Sequence, residues 1–359
     1  MMLRVHLLCE TDRFGNPHGS GQIRLLRPFS HPVLAESFRM SSGAEFPRDG
    51  VDVVLVERGW RADATLQSAE ALVTEIRKIG AKLIYTLDDN LLDLHRGQPW
   101  HEFSTDVKRN IVRYFLCKAD GVVVSTEPLQ RRVGKLNPNV AVVPNALDER
   151  LFLGDEDIPL PPVARDDGKL IVGYMGTHSH LNDLLMVLEP LRAVLRAYQG
   201  KVEFQMVGIS EDNRIIQCFD ALPLKVLDTA GNHFYPNFIP WAKRNLMWDL
   251  AIAPLEDSQF TSSKSDIKFL DYALLGVPGI YSNVESYKHT VEQGKTGILA
   301  DNSPRCWKEA LTAMLENQCA RSDMARAARV YVEGKRILKH CAVNWKDVII
   351  KVAEKTKLN

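Results

Sequence analysis

The chain alternates short apolar runs with longer amphipathic segments, and this alternation restricts its fold more than any other feature. The strand-like runs of the first half are rich in Val, Ile and Leu, and they cover 3–10, 51–57, 81–87, 121–125 and 140–145. Helix-patterned stretches lie between them, and one of these is predicted to end at Gly80. Continuous apolar strands that alternate with helices are typical of parallel sheets covered on both faces. The first half therefore predicts an α/β fold with a doubly wound parallel sheet.

A second alternation of the same kind begins at residue 170. Its strand-like runs cover 170–176, 202–208, 224–228, 248–254, 279–283 and 297–301. Between the two halves the chain is acidic, rich in Pro and without periodicity, which is typical of a linker between domains. We predict domains over 1–155 and 170–335, a linker over 156–169, and a closing helix over 336–359 that could cross back to the first domain. Two such domains would face a central cleft, with ligands beyond the carboxyl ends of the strands.

Composition excludes several classes of protein. The 45 basic residues balance the 45 acidic ones, so net charge gives no case for nucleic acid as a partner. No apolar run approaches the roughly 18 residues needed to span a bilayer, and the start of the chain does not resemble a signal peptide. The six cysteines form no C-x-x-C pair and no metal-site spacing. We expect a cytoplasmic protein with reduced thiols and no bound metal.

The loop after the first strand is long and rich in glycine. It contains Gly19, Ser20 and Gly21 ahead of a basic helix with Arg24 and Arg27. The dinucleotide fingerprint needs a third glycine that is absent here, so a nicotinamide cofactor is not predicted. The loop is either a flexible crossover or a segment that contacts ligand, with Arg24 and Arg27 facing the cleft.

Two further loops carry polar residues directly after strands. Asp88 and Asp89 follow the third strand, where one carboxylate could orient a sugar hydroxyl or act as a base while the other caps a helix. In the second half, Gly176 permits close approach of a phosphate to the backbone before "THSHLND". His178 and His180 in that loop could donate to a diphosphate or a sugar hydroxyl, and two local ligands are too few for zinc.

Residues 262–278, "SSKSDIKFLDYALLGVP", predict a helix with a marked start and stop. Ser263 and Asp266 match the S-x-x-D pattern of a helix start, and Gly276 predicts the end. On this interpretation Lys264 and Lys268 share the first turn, where positive charge opposes the helix dipole. An anion held between the lysines and the free N–H groups would explain that arrangement. A solvated pair of Lys268 with Asp271 is the alternative.

These segments together resemble a known family. The run 248–302, with its "KSDIKFLDY" helix, is similar to the donor-binding region of GT-B glycosyltransferases, especially family 4 enzymes of bacterial O-antigen and surface polysaccharide synthesis. "IVGYMGTHSHLNDL" resembles the loop of that subgroup with the pattern Gly-x-x-x-His-x-x-Asp, "VVPNALD" resembles its "PNGID", and "IYTLDDNL" resembles its aspartate-rich loop. The resemblance implies two Rossmann-like domains, an acceptor in the first, a nucleotide-sugar donor in the second, and metal-independent transfer with retention.

The resemblance also implies roles for individual residues. The two glutamates of the family fall on Ser263 and Asp271, so the first carboxylate is lost and the second is a shorter acid that could still bind the ribose. The candidates for binding the diphosphate are Gly176, Thr177, His178, Lys264, Ser265 and Lys268. The candidates on the acceptor side are Gly19, Ser20, Gly21, Arg24 and Asn145, and the catalytic candidates are His180, Asp88 and Asp89.

The sequence thus predicts an enzyme that moves a hexose or deoxyhexose from a nucleotide diphosphate sugar to a glycan or lipid-linked acceptor. No cofactor is expected beyond this co-substrate, and peripheral contact with the inner membrane leaflet stays open. Two alternatives remain. One is a nucleotide-sugar epimerase of GT-B form, and the other is an inactive glycan-binding or nucleotide-binding subunit, suggested by the lost carboxylate at Ser263.

Overall fold

The structure is a computed structural model that describes residues 2–12, 14–47, 50–94, 106–153, 168–177, 180–208, 217–218 and 222–354. The chain divides into two compact units. Unit 1 comprises Met1–Asp148, Ser263–Ser265 and Arg336–Asn359, and unit 2 comprises Glu149–Ser262 and Asp266–Lys335. Nothing in the sequence pattern indicates that the three residues Ser263–Ser265 belong with the first half.

Unit 1 contains a six-stranded sheet in which every neighbouring pair is parallel. Its strands are β1 (Leu3–Leu8), β2 (Phe38–Ser42), β3 (Val53–Glu57), β4 (Lys82–Leu87), β5 (Gly121–Val124) and β6 (Val140–Val142). They lie in the order β2-β1-β3-β4-β5-β6. The sequence pattern missed β2, because this edge strand exposes Arg39, Ser41 and Ser42 and lacks an apolar run.

The helices of unit 1 come from both the start and the end of the chain. A helical segment runs from α1 (Gly19–Gly21) through a π-helical stretch (Gln22–Leu26) into α2 (Arg27–Phe29), and a 3₁₀ turn follows at Pro32–Leu34. The remaining ones are α3 (Leu66–Lys78), α4 (Asp106–Lys118), α5 (Glu127–Val133), α14 (Leu338–Cys341) and α15 (Val343–Glu354). Thr65 and Ser68 cap α3 at its start. Gly80 follows α3 with φ +72°, which confirms the predicted helix end.

Unit 2 contains a second six-stranded parallel sheet. Its strands are β7 (Leu170–Met175), β8 (Val202–Val207), β9 (Leu224–Leu227), β10 (Leu250–Ala253), β11 (Gly279–Ser282) and β12 (Ile298–Ala300), in the order β12-β11-β10-β7-β8-β9. Its helices in the described residues are α6 (Glu149–Phe152), α7 (Leu181–Met186), α8 (Leu188–Ala197), α9 (Tyr235–Asn245), α10 (Ile267–Leu274), α11 (Glu285–Lys288), α12 (Pro304–Glu316) and α13 (Gln318–Lys335). A 3₁₀ turn covers Thr261–Ser263, and its last residue is assigned to unit 1.

Each unit has its own apolar core. In unit 1, Phe29, Phe38 and Trp345 pack together against the sheet, with the ring centres of Phe29 and Trp345 5.5 Å apart. In unit 2, the fully buried Trp248 lies over Gly173 of β7, where a Cβ would come within 1.9 Å of the indole. Only glycine leaves room for this ring. Among the described residues, no helix is long and apolar enough to cross a membrane.

Candidate active site

The helix predicted at 262–278 begins later than its sequence pattern suggests. Helix α10 starts at Ile267, its N-cap Asp266 makes no side-chain cap, and Ser263 belongs to the preceding 3₁₀ turn. The predicted S-x-x-D cap is therefore wrong, because the Asp266 carboxylate instead accepts from Thr290 Oγ1 at 2.8 Å. The predicted end is confirmed, since Gly276 follows α10 with φ +73°.

The later start separates the two lysines that the sequence placed on one turn. Lys268 lies in the first turn of α10 in unit 2, whereas Lys264 precedes the helix and belongs to unit 1. The Lys264 Nζ lies 3.2 Å from Asp89 Oδ1. Of the two lysines, only Lys268 therefore opposes the dipole of α10 from within its first turn.

Helix α10 is fixed to the ends of two strands by Tyr272. The Tyr272 hydroxyl donates to the Ile252 carbonyl oxygen of β10 at 3.0 Å and accepts from the Met175 N–H of β7 at 3.3 Å. Every residue from Phe269 to Leu274 is buried. Helix α10 is consequently held beside the carboxyl ends of the two central strands, where ligands of doubly wound sheets bind.

His180 is held by Asp183, the aspartate of the His-x-x-Asp pattern, to which no role was assigned from the sequence. Its Nδ1 lies 2.7 Å from Asp183 Oδ2, and Asp183 Oδ1 accepts from the Glu256 N–H at 2.8 Å. Burial tends to raise the pKa of Asp183, but the hydrogen bond and charge of His180, the Glu256 N–H and the charge of Lys268 together lower it. The spacing of His180 and Asp183, three residues apart at a helix start, was the available sequence signal.

Lys268 acts electrostatically on two buried carboxyl groups. Its charge lowers the pKa of both Asp183 and Asp271. For Asp271 the effect of burial is larger, and the pKa is raised to about 7 although Lys268 and the Tyr235 hydroxyl oppose this. The Tyr235 hydroxyl lies 3.4 Å from Asp271 Oδ1. His180 and Lys268 both interact with Asp183, and Lys268 also interacts with Asp271. These four side chains form one polar region of unit 2.

Gly176 follows β7 in a place where two backbones nearly touch. A Cβ on Gly176 would lie 2.6 Å from the Tyr174 hydroxyl, and one on Gly208 would lie 2.4 Å from the Gly176 carbonyl oxygen. Gly208 also has φ +87°. Thr177, which follows Gly176, is exposed. His178 lies outside the described residues.

In unit 1, Asp88 and Asp89 surround a buried arginine. The Arg58 Nε donates to Asp88 Oδ1 at 2.7 Å, its Nη2 donates to Asp89 Oδ2 at 3.0 Å, and its Nη1 lies 3.5 Å from Glu10 Oε2. Burial works against the charge of Arg58, but these three carboxylates raise its pKa well above the ordinary value. With Lys264 beside Asp89, both aspartates already have cationic partners.

Arg58 was not predicted from the sequence, although its backbone is unusual. It has φ +46°, in the left-handed region that side chains other than glycine avoid, and its carbonyl oxygen accepts from the Tyr85 hydroxyl at 2.9 Å. Strained backbone of this kind is concentrated at functional sites. Trp60, with φ +49°, shares the feature.

The residues predicted for the acceptor side also gather in unit 1. Gly19, Ser20 and Gly21 open the helical segment that carries Arg24. Arg24 Nη1 donates to Asn145 Oδ1 at 3.0 Å, and Asn145 Nδ2 donates to Ser265 Oγ at 2.8 Å. Arg24 is only 1% exposed, and its guanidinium is held inside unit 1 by the Val143 carbonyl oxygen and by Asn145 Oδ1.

Comparisons with known proteins give matches in structure alone. No protein-family model matches the chain, and no curated protein does. Anabaena HepE, solved in complex with UDP and glucose, matches over 100% of both chains with a TM-score of 0.64 at 13% identity. A glycosyltransferase from Rickettsia africae ESF-5 matches over 98% of this chain and 99% of its own, with a TM-score of 0.64 at 11% identity.

Sucrose-phosphate synthase from Thermosynechococcus elongatus matches over 84% of this chain and 74% of its own, with a TM-score of 0.62 at 14% identity. At these identities the similarity establishes the fold. The chain has the GT-B fold, with two Rossmann-like parallel sheets, and the predicted fold class is confirmed.

Proposed function

We propose that the protein is a glycosyltransferase that takes a hexose or deoxyhexose from a nucleotide diphosphate sugar. The observation that carries this proposal is the polar region of unit 2. There the charge of Lys268, in the first turn of α10, favours the ionised forms of Asp183 and Asp271. HepE, which shares the fold, has been solved with UDP-glucose. This favours UDP among the nucleotides to be tested first.

Departure of a nucleoside diphosphate places negative charge on its terminal oxygens. Lys268 supplies a fixed cation, and the N–H groups at the start of α10 supply partial positive charge. Both are in position before the reaction, which is the arrangement that stabilises developing charge most effectively. Lys264, with Gly176, Thr177, His178 and Ser265, remains a predicted contributor to diphosphate binding.

His180 is the group we assign to the reacting region. Its Nδ1 lies 2.7 Å from Asp183 Oδ2, and this contact fixes the orientation of the imidazole ring. Asp183 in turn is fixed by the Glu256 N–H. Asp183 therefore acts as a positioning residue for His180, and no covalent intermediate on the protein is required.

Asp271 is the residue we assign to the ribose. An ionised carboxylate accepts from both ribose hydroxyls more strongly than a protonated carboxyl does, and burial raises the pKa of Asp271 to about 7. Nucleoside binding should therefore strengthen as the pH rises through 7, if Asp271 fills this role. The acceptor is a glycan or a lipid-linked oligosaccharide bound by unit 1, with transfer retaining, metal-independent and part of surface polysaccharide synthesis.

Incubation with a panel of nucleotide sugars tests the proposal against both alternatives. Transfer to an added glycan, or slow hydrolysis of the donor, supports a glycosyltransferase. Interconversion of the free donor into an epimer supports an epimerase. Binding of the nucleotide sugar without any turnover supports an inactive subunit, as the serine at position 263 would allow.

A further inference from the structure

Unit 1 contains a cluster of buried polar atoms without hydrogen-bond partners in the described part of the chain. They are Ser20 Oγ, Arg24 Nε, Arg24 Nη2 and Glu57 Oε1. Buried polar groups in folded proteins are nearly always paired with protein or water, because an unpaired one costs about 1 to 3 kcal/mol. Several such atoms in one place form a site with unused hydrogen-bonding capacity that a small polar group could satisfy.

Among the described residues, the guanidinium of Arg24 donates hydrogen bonds to neutral groups only. Its Nη1 donates to the Val143 carbonyl oxygen at 2.5 Å and to Asn145 Oδ1 at 3.0 Å, and its Cζ lies 5.0 Å from the centre of the Trp345 ring. The opposite edge is formed by the unpaired Nε and Nη2. That edge presents two parallel N–H groups, the geometry that matches the two oxygens of a carboxylate.

Glu57 does not supply the missing negative charge. Burial raises its pKa to about 8, so at neutral pH the carboxyl is mostly protonated. Its Oε2 accepts from the Glu10 N–H at 2.9 Å, while Oε1 has no partner among the residues described. A protonated carboxyl can donate one hydrogen bond, which adds a donor beside the cation.

The helical segment and the end of β3 are in direct contact here. A Cβ on Gly21 would lie 3.0 Å from Glu57 Oε2 and 3.1 Å from Cys9 Cβ. Ser20 and Arg24 lie on the same helical segment as Gly21, and Arg24 is close enough to Asp88 and to the Glu57 carboxyl to interact with both electrostatically. The cluster therefore offers the Arg24 edge, the Ser20 hydroxyl and the Glu57 carboxyl from two neighbouring elements, and the exposed Gly19 precedes it in the chain.

We propose that this cluster is a carboxylate-binding subsite, and that it selects an acceptor carrying an acidic sugar. The second half of the proposal rests on the proposed function, whereas carboxylate binding itself does not. A single carboxylate fits one guanidinium edge. A phosphate dianion fits less well, because Glu10, Asp88 and Asp89 lie in the same region and repel additional charge.

The test compares the affinities of glucuronate, glucose and glucose 6-phosphate for the whole protein by calorimetry. We expect glucuronate to bind at least about tenfold more tightly than glucose, a difference of about 1.4 kcal/mol. Equal affinities, the absence of glucuronate binding, or a preference for glucose 6-phosphate would overturn the subsite. UDP is titrated into the same samples. If UDP binds and glucuronate does not, the subsite alone is wrong, and if UDP fails to bind, the proposed function is at fault.

Variants separate binding from folding. Arg24→Lys keeps the positive charge and removes the paired N–H edge, so it should lose the preference for glucuronate, whereas Arg27→Lys on the same segment should keep it. Arg27 is a suitable control because it pairs with Asp148 instead. Retention of the preference in Arg24→Lys would refute the assignment.

Glu57→Gln provides a test that does not depend on Arg24→Lys folding. The amide resembles the protonated carboxyl and cannot ionise, so the variant should bind glucuronate equally at pH 7 and pH 9, while the natural protein binds it more weakly as Glu57 ionises. The groups that act electrostatically on Glu57, or on which it acts, are Glu10, Arg58, Asp88, Arg24, Cys9 and Tyr85. Parallel pH profiles of the two proteins would contradict the role of Glu57.

Discussion

Replacing Asp271 with asparagine should stabilise the fold at alkaline pH and weaken nucleoside binding. Burial raises the pKa of Asp271 to about 7, against an ordinary value of 3.8. Below about pH 4 the carboxyl is protonated in both the folded and the unfolded chain, so it does not lower stability. Between about pH 4 and 7 the unfolded chain ionises first, so stability falls as the pH rises. Above about pH 7 the carboxyl is ionised in both states, and its destabilising effect on the fold is complete.

The size of the effect follows from this difference in pKa. At about 1.36 kcal/mol per unit, the free energy of unfolding lost through Asp271 has a ceiling of roughly 4 kcal/mol above pH 7. The asparagine side chain resembles the protonated carboxyl and cannot ionise, so the variant keeps this part of the free energy of unfolding. A gain of half the ceiling corresponds to an increase in Tm of roughly 4 to 8 °C for a unit of this size.

The assay is thermal unfolding of the natural protein and of Asp271→Asn from pH 5 to pH 8.5. The control is Asp183→Asn, which should change Tm in the opposite direction. Asp183 has a lowered pKa, so its ionised form stabilises the fold above its unfolded pKa, and that contribution is lost as the pH falls through the folded pKa. Asp183→Asn should therefore lower Tm throughout the range from pH 5 to pH 8.5, because this contribution is lost only below the ordinary pKa of 3.8. If the advantage of Asp271→Asn does not grow with pH, the buried carboxyl is not the source of the effect.

The remaining predictions concern binding and packing. Lys268→Ala should weaken UDP binding by about tenfold or more while leaving uridine unaffected, measured by calorimetry, and equal effects on both ligands would exclude a diphosphate contact. Lys264→Ala should also weaken UDP binding. An unchanged affinity would show that Lys264 does not contact the diphosphate. Asp183→Asn should lower kcat more than it raises KM, because it loosens His180 and spares the donor contacts. Gly173→Ala should destabilise the protein by about 3 kcal/mol or more in urea unfolding, because the new methyl group would overlap the Trp248 ring.

The fold could be predicted from the sequence to a large extent, because parallel strands buried on both faces leave uninterrupted apolar runs. The exception is β2, whose edge position exposes Arg39 and two serines and removes that signal. The end of α10 was also predictable, since a left-handed residue after a helix is usually glycine, and Gly276 occupies that place.

The start of α10 was not predictable from its cap pattern. Ser263 and Asp266 have the residue types of a helix cap, but tertiary contacts outweigh the local signal: the Asp266 carboxylate accepts from Thr290, and the Ser263 carbonyl oxygen accepts from Thr126 at 2.8 Å. Both partners are distant in sequence. Local pattern alone contains no information about them.

The candidate site was predicted in part. The sequence placed Asp88, Asp89 and His180 after strands, yet it could not show that Arg58 joins both aspartates or that Asp183 fixes His180. Arg58 comes directly after an apolar strand in the sequence, so it looked like an ordinary strand end. Its importance follows from burial and from its φ of +46°, which only a structure reveals.

The diphosphate site at the start of α10 is tested most directly by calorimetric titration of the natural protein and of Lys268→Ala with UDP, GDP and dTDP. We predict that at least one nucleoside diphosphate, UDP first, binds the natural protein, and that Lys268→Ala weakens it by about 1.4 kcal/mol or more. The absence of binding by all three nucleotides, or an unchanged affinity in Lys268→Ala, would contradict a diphosphate site in this place.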